Sequence, residues 1–318
     1  MASTKQVQVL VTDREGSTSQ IKVGLDIGGT KTEAVAVDDD NKILALHRRP
    51  SGQGNAEVLD TVFTVLDELC LALGLRLQSL ESIGIGIPGS VDTETGVVSH
   101  SANLAIRKLD LAATVSGRLG VDCRVENDVN AAALGAARLL GSAGKSTIAY
   151  LNLGTGLAAG VVHNNRIWPG HSGAAGEIGH IPIQSEGVLC KCGQYGCLEL
   201  VASGSALSRL WPTAAGYPAA ELFREAKAGN AAAAEIQQRF FDGVATAVQI
   251  LGLSIDPELI VIGGGLSTLG EPLLEGVTEK LTQRALASPF IDALKMTNRV
   301  HLLPPGSPAG SVGAAYLS

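Results

Sequence analysis

IKVGLDIGGTKTEAVAV, residues 21–37, and IAYLNLGTGLAAGVV, residues 148–162, say nearly the same thing. Each is a short apolar run, a Gly/Thr turn and a second apolar run, the pattern of a β-hairpin. Glycine is expected to supply unusual backbone angles at both turns. A repeat at this distance predicts two related halves, each opening with a hairpin whose tip points at something shared. A third glycine cluster, Gly263-Gly264-Gly265, follows the strand-like LIVIG and precedes a helical stretch from about Ser267 to Leu286.

The segments between read as ordinary α/β elements. Apolar residues at 58, 59, 62, 63, 66, 69 and 73 mark one face of a helix over 55–73. Residues 82–87 read as a buried strand ending at Pro88-Gly89, and 128–140 as an Ala/Leu-rich helix just after Glu126-Asn127. Residues 231–251 form another long helix, and 306–316 a closing helix that returns to the first half.

Composition narrows the function classes. The chain has 318 residues, 45% hydrophobic and 17% charged, which suits two domains of modest size. Aromatics are only 3% and glycines number 39, as in an α/β protein with many tight turns. The net charge of −7, with no Lys/Arg run, argues against a nucleic-acid surface. No apolar stretch is long enough to span a membrane, and residues 1–20 read as a polar extension without a signal peptide. A cytoplasmic protein is expected.

Two glycine patterns are set aside. GIGIPG at 84–89 matches a dinucleotide fingerprint by letters, but Pro88 and SVDTETG do not open a helix. GSAGKS at 141–146 lacks the first glycine of a P-loop and reads as a surface loop. The histidines at 47, 100, 163, 171 and 301 show no ligand spacing and read as solvated or packed.

The densest chemistry lies between Glu177 and Glu199. His180, Cys190, Cys192 and Cys197 form H-x9-C-x-C-x4-C, one imidazole and three thiolates, a set that suits a structural zinc. Gly193 and Gly196 let the loop turn back so that Cys192 and Cys197 reach one ion. Disulfides fit poorly, because two Cys one residue apart do not easily bridge and the total of five is odd. A metal knot with a carboxylate at each end would hold Glu177 and Glu199 still.

The hairpin tips point to phosphate. Backbone N–H groups at Gly28 and Gly29, the Thr30 hydroxyl and the Lys31 charge make a concave anion site, with Asp26 just before it. Gly154, Thr155 and Gly156 offer a second such tip. Two tips from two lobes are expected to hold the β- and γ-phosphates of ATP, with Asp26 orienting hydrated Mg²⁺ and Gly263–Gly265 admitting the adenosine.

Taken in order, DIGGTK (26–31), IPGSVD (87–92), ANL (102–104), END (126–128), LNLGTG (151–156), GEIGH (176–180), CKCGQYGCLE (190–199) and IGGG (262–265) resemble the ROK family of repressors, open reading frames and sugar kinases. The resemblance covers the chain from about Ile21 to its end. It implies a two-lobed actin/hexokinase-like (ribonuclease H-like) α/β ATPase fold with a cleft between lobes. A small lobe would comprise 21–126 and 304–318, and a large lobe 127–303. It implies ATP-dependent phosphorylation of a hexose or N-acetylhexosamine hydroxyl, with glucose the leading substrate and zinc a structural ion. Asp128 matches the general base, with the helix dipole favouring its carboxylate; the competing reading makes it a simple helix cap. Glu177, His180 and Glu199 resemble the sugar clamp, Gly89 and Asn103 the facing wall, and Asn127 a binder of a neighbouring hydroxyl. A dimer follows by analogy.

Three positions depart from the family pattern and bear on which sugar fits. Leu157-Ala158-Ala159-Gly160 replaces the usual I-GGG after the second tip. Gly135 and Ala136 stand where a glutamate is usual, and Ala105-Ile106 where a Trp is frequent. Kinases for N-acetylmannosamine, N-acetylglucosamine or fructose share the same clamp. A sugar-responsive repressor would need a DNA-binding domain that twenty N-terminal residues do not supply, and a non-catalytic sensor would have no use for Asp26, Lys31 and Asp128.

Overall fold

The computed structural model describes residues 7–9, 21–38, 40, 42–141, 147–213 and 217–317. They fall into two compact units, one drawn from Met1–Ala143, Asn165–Ile167 and Pro308–Ser318, the other from Gly144–Asn164 and Trp168–Ser307. Most of the extension over 1–20, and all but Gly141 of the loop read at 141–146, lie outside the described residues.

In the first unit, chain order runs β1 (Val7–Val9), β2 (Lys22–Ile27), β3 (Lys31–Val37), β4 (Ile43–Pro50), α1 (Gly54–Leu73), β5 (Ser82–Ile87), β6 (Ser90–Asp92), β7 (Val97–Ser101), β8 (Ile106–Asp110), α2 (Leu111–Leu119), β9 (Cys123–Asn127) and α3 (Asp128–Leu139). The main sheet has the order β1-β4-β3-β2-β5-β9, and β6-β7-β8 form a smaller one. β2 pairs antiparallel with β3 and parallel with β5. Residues 7–9 of the extension add an edge strand to β4.

The period of two in β2 and β5 decides how this sheet is covered. Val23, Leu25 and Ile27, with Ile83, Ile85 and Ile87, are buried in one core with Val58, Val62, Leu66 and Leu69 of α1. The intervening positions include Gly24, Gly84 and Gly86, and here α9 (Ala309–Ala314) and α3 come down on the sheet. A β-carbon on Gly24 would lie 1.9 Å from the Ser311 carbonyl oxygen, and one on Gly84 1.7 Å from that of Ala314. The apparent dinucleotide fingerprint is therefore a strand whose glycines admit a helix backbone. Gly74 ends α1 at φ 66, with its N–H bonded back into the last turn.

Next in the chain come β10 (Thr147–Leu153), β11 (Leu157–His163), β12 (Arg166–Ile167, which belongs to the first unit), α4 (Gly204–Leu210), α5 (Pro218–Lys227), α6 (Ala231–Ser254), β13 (Leu259–Gly263), α7 (Glu271–Ala287), α8 (Pro289–Ala293) and β14 (Val300–Leu302). In the second unit β11, β10, β13 and β14 lie side by side in that order. β10 pairs antiparallel with β11 and parallel with β13, repeating the relation of β2 to β3 and β5. The repeat read from the sequence is thus a repeat of strand pairing. The core here is closed by edge-on contacts of Phe223 with Phe240 and Phe241, at centroid separations of 6.2 and 5.5 Å. Asn230 caps α6 by accepting from the N–H groups of Ala232 and Ala233.

Candidate active site

The first hairpin turns tightly, with the Gly28 N–H donating to the Lys31 carbonyl at 2.9 Å. Gly28 and Gly29 are absent from the residues with positive φ, and so are Gly154 and Gly156 of the second tip. The expectation of unusual backbone angles is corrected, and Gly29 and Gly156 answer to crowding instead. A β-carbon on Gly29 would sit 3.3 Å from Cβ of Asn103, and one on Gly156 3.0 Å from Oε2 of Glu199. Each tip therefore has a predicted binding residue of its own unit pressed against it. Thr30, Lys31 and Thr155 are exposed.

Asp26 is the penultimate residue of β2, and Asp128 begins α3 in the same unit. The Asp26 carboxyl is pushed up to about 7, first by burial, then by the charges of Asp128 and Glu33, against the pull of Lys31. A carboxylate held under such repulsion favours a bound cation. The α9 backbone comes close as well, since a β-carbon on Gly310 would lie 2.4 Å from Oδ2 of Asp26.

The turn into α3 shows which residue caps that helix. Asn127 is the helix cap, its Oδ1 accepting from the N–H groups of Val129 at 2.9 Å and Asn130 at 3.3 Å. Asp128 is left in the first helical turn, where the dipole favours its ionised form. Asn127 Nδ2 points to the Gly89 carbonyl at 3.4 Å. Gly89 has φ 122, a conformation that glycine alone adopts easily, and a side chain there would crowd Ser99 and Ser101. Glu126, buried, accepts from the Asn127 N–H at 2.8 Å and from Nδ2 of Asn130 at 3.1 Å, bracing the turn. Asn103 is exposed beside Gly29, and its carbonyl accepts from Nε2 of Gln53.

In the second unit one cluster gathers the remaining candidates. Ligand atoms of His180, Cys190, Cys192 and Cys197 all lie within 4.8 Å of one another. Cys190 Sγ is 3.7 Å from His180 Nδ1, and Cys192 Sγ is 3.6 Å from Cys197 Sγ. A tetrahedron with metal–sulfur bonds of about 2.3 Å has edges of roughly 3.8 Å, so the donor set has the right size for zinc. Gly193 and Gly196 have φ of 91 and 68, which turns the loop back as the sequence implies. The backbone N–H and then the side-chain amide of Gln194 draw the Cys192 thiol down to about 6, while burial pushes Cys197 up to about 12. Buried thiols of that kind ionise when a cation compensates them.

Nδ1 of His180 faces the sulfurs, leaving Nε2 for another partner. Glu199 ties the knot to the hairpin tip: its Oε1 is 3.5 Å from Cys190 Sγ and 3.8 Å from Lys191 Nζ, and its Oε2 borders Gly156. Glu177 is exposed, just before the short turn Ile178–His180. That turn lies hard on β11, since side chains at Gly176 and Gly179 would strike the carbonyls of Ala159 and Leu157. Leu157-Ala158-Ala159-Gly160 nevertheless pairs in unbroken register with β10. Gly264, at φ 80, packs on Asn152 and Leu153, the last residues of β10 before the tip.

Sequence reasoning missed several supports. The N–H groups of Gly204 and Ser205 hold the carbonyls of Gly154 and Thr155 at 2.8 and 3.0 Å, fixing the second tip. The helix-cap signal of Ser203 could have marked that start of α4. A cavity of about 210 Å³ adjoins the tip, lined by Thr155, Lys191, Glu199, Ser203, Ser205 and Arg209 among others. Gly310 and Ser311 of α9, near Asp26 and Glu33, carried no local signal.

Residues 22–318 match the ROK family as a whole. The chain belongs to that family. Among curated ROK relatives, a glucokinase of Thermotoga maritima is 33% identical, over 93% of this chain and 96% of its own length. An N-acetyl-D-glucosamine kinase of Pectobacterium atrosepticum is 32% identical, over 92% and 97%. Among solved structures, a ROK glucokinase of Streptomyces griseus in complex with glucose and AMPPNP superposes with a TM-score of 0.75, at 28% identity, covering 93% of this chain and 98% of that one. The mixed α/β architecture is the actin/hexokinase-like fold of the ROK sugar kinases.

Proposed function

We propose that this chain transfers the γ-phosphoryl group of ATP to a hexose hydroxyl, with glucose as the principal acceptor. The chain is a sugar kinase. The observation that carries the reading is Asp128, relieved of capping by Asn127, in the first turn of α3 and within the electrostatic field of Asp26.

Asp128 accepts the proton of the attacking hydroxyl as the oxygen–phosphorus bond forms. Asn127 Nδ2, Gly89 and Asn103 bind the sugar in the first unit; Glu177, Glu199 and Nε2 of His180 bind it in the second. Backbone N–H groups at Gly28–Gly29 and Gly154–Gly156, with Thr30, Thr155 and Lys31, receive phosphate oxygens. Mg²⁺, when bound near Asp26, supplies neutralisation of phosphate charge. Zinc on His180, Cys190, Cys192 and Cys197 would lock the ring of His180 and the carboxylate of Glu199, a matter of rate because ~1 Å of misplacement costs on the order of 10²-fold.

A second reading, an N-acetylhexosamine kinase, is favoured by the Pectobacterium relative, whose identity nearly equals that of the Thermotoga glucokinase. The test is coupled ADP release with glucose, mannose, fructose, N-acetylglucosamine and N-acetylmannosamine, for the wild type and Asp128→Asn. Glucose is expected to give the highest kcat/KM. The variant is expected to lose at least ~10³-fold in kcat while still binding sugar. An N-acetylhexosamine preference would replace the acceptor, an active Asp128→Asn would remove the base, and silence on every sugar would overturn the kinase.

A further inference from the structure

Tyr217 lies at the start of α5, and its hydroxyl donates to the carbonyl oxygen of Gly265 at 2.9 Å. The same hydroxyl meets that of Thr268 at 3.1 Å. Both contacts are at the far end of the side chain, so they fix the ring beside the 263–265 glycine turn. The residue is nonetheless 41% exposed. A tyrosine whose polar tip is satisfied by protein and whose apolar body meets water presents a rigid stacking surface at little entropic cost.

The turn beside it is open on one side and closely packed on the other. A β-carbon on Gly265 would meet nothing within 4 Å, so the backbone there borders free space. One on Gly264 would lie 2.5 Å from Oδ1 of Asn152 and 2.6 Å from the Leu153 carbonyl, which pins the turn to the hairpin that carries the second phosphate tip. Ser267 closes the turn by donating to the Gly264 carbonyl at 2.8 Å. A flat aromatic group tethered to a bare, fixed stretch of backbone suits a planar heterocycle.

We infer that Tyr217 is a stacking surface for the purine base of the nucleotide, positioned by its own hydroxyl on the Gly265 turn. This rests on the kinase reading above. Stacking of a base on an aromatic ring corresponds to roughly tenfold or more in affinity. The phosphates are held elsewhere, at the hairpin tips, so the ring should affect ligands with a base and ignore those without one.

The experiment is calorimetric titration of ADP and of inorganic tripolyphosphate into wild type, Tyr217→Leu and Tyr217→Phe, with steady-state kinetics in parallel. Tyr217→Leu is expected to weaken ADP about tenfold and raise KM for ATP similarly. Its kcat, its KM for sugar and its affinity for tripolyphosphate should stay within about twofold of wild type. Tyr217→Phe, which keeps the ring and loses the tether, should weaken ADP by no more than about threefold. If Tyr217→Leu misfolds, a Tyr217→Phe protein that loses ADP binding tenfold would overturn the stacking role. So would a folded Tyr217→Leu that binds ADP as the wild type does, or one that loses ADP and tripolyphosphate alike. A wild type that binds tripolyphosphate but not ADP sinks the base site alone, and one that binds neither sinks the kinase reading with it.

Discussion

Gly135→Ala tests whether the α3–α9 contact sets the position of Asp128. Gly135 lies mid-way along α3, and a β-carbon built on it would sit 1.8 Å from the carbonyl oxygen of Ala309. Real β-carbons essentially never come closer than 3.0 Å to such an atom, so the two helices must part by at least about 1.2 Å. Gly313 faces back, its own missing β-carbon lying 1.7 Å from the Ala131 carbonyl, which leaves neither backbone room to yield. Overpacking of this kind costs about 1–3 kcal/mol, and alanine recovers about 1 kcal/mol of helix propensity over glycine. The net loss of stability should then be roughly 0–2 kcal/mol, while a shift of about 1 Å at the helix that bears the base should lower kcat on the order of 10²-fold. The control is Gly117→Ala in α2, where a β-carbon meets nothing within 4 Å; it should leave kcat unchanged and raise stability slightly. Calorimetric melting and the coupled ADP assay read the two effects separately. A Gly135→Ala protein with wild-type kcat would refute the reasoning, and so would a loss of activity fully explained by unfolding.

Asp26→Asn should separate electrostatic strain from function. The folded chain holds the Asp26 carboxyl at about 7 against an ordinary 3.8, so the native state binds this proton more tightly than the unfolded state does. Stability from this group is therefore greatest below about pH 4 and declines as pH rises towards 7. In Mg²⁺-free buffer at pH 8 the variant should melt above the wild type, the difference closing by pH 4, and its turnover should be lost; a lower melting temperature at pH 8 would count against the field described. Cys192→Ser should drop bound zinc, measured by atomic absorption, from about one per chain to near zero. Sugar affinity should fall with it, through release of His180 and Glu199, and a metal-free protein with full activity would contradict the role given to the knot.

The gathering of His180, Cys190, Cys192 and Cys197 was legible because it is local: the four side chains and the two turning glycines fall within one short segment whose spacing limits the geometry. The hairpins were legible as alternating apolar runs around Gly/Thr turns, and their parallel partners followed the strand-like segments over 82–87 and 259–263. What the tip glycines do was misread, because a letter does not distinguish a glycine needed for its dihedral angles from one needed for close approach. The cap of α3 was ambiguous for a similar reason, as Asn127 and Asp128 are both good capping residues and only the hydrogen bonds assign the task to Asn127. Gly84, Gly135 and Gly313 derive their meaning from a helix far away in the chain and Gly310 from a distant strand, so no window of sequence around any of them reveals it.

Ser311 of α9 bonds Glu33 of β3 across a separation of 278 residues. During synthesis the early strands must therefore wait, with Gly24 and Gly84 uncovered, until α9 has been made. The second unit, contiguous apart from one short excursion, has all its segments by Ser307, just before α9 begins. A chain cut before Ala309 would keep every segment of the second unit yet leave Gly24 and Gly84 of the first without the helix that covers them.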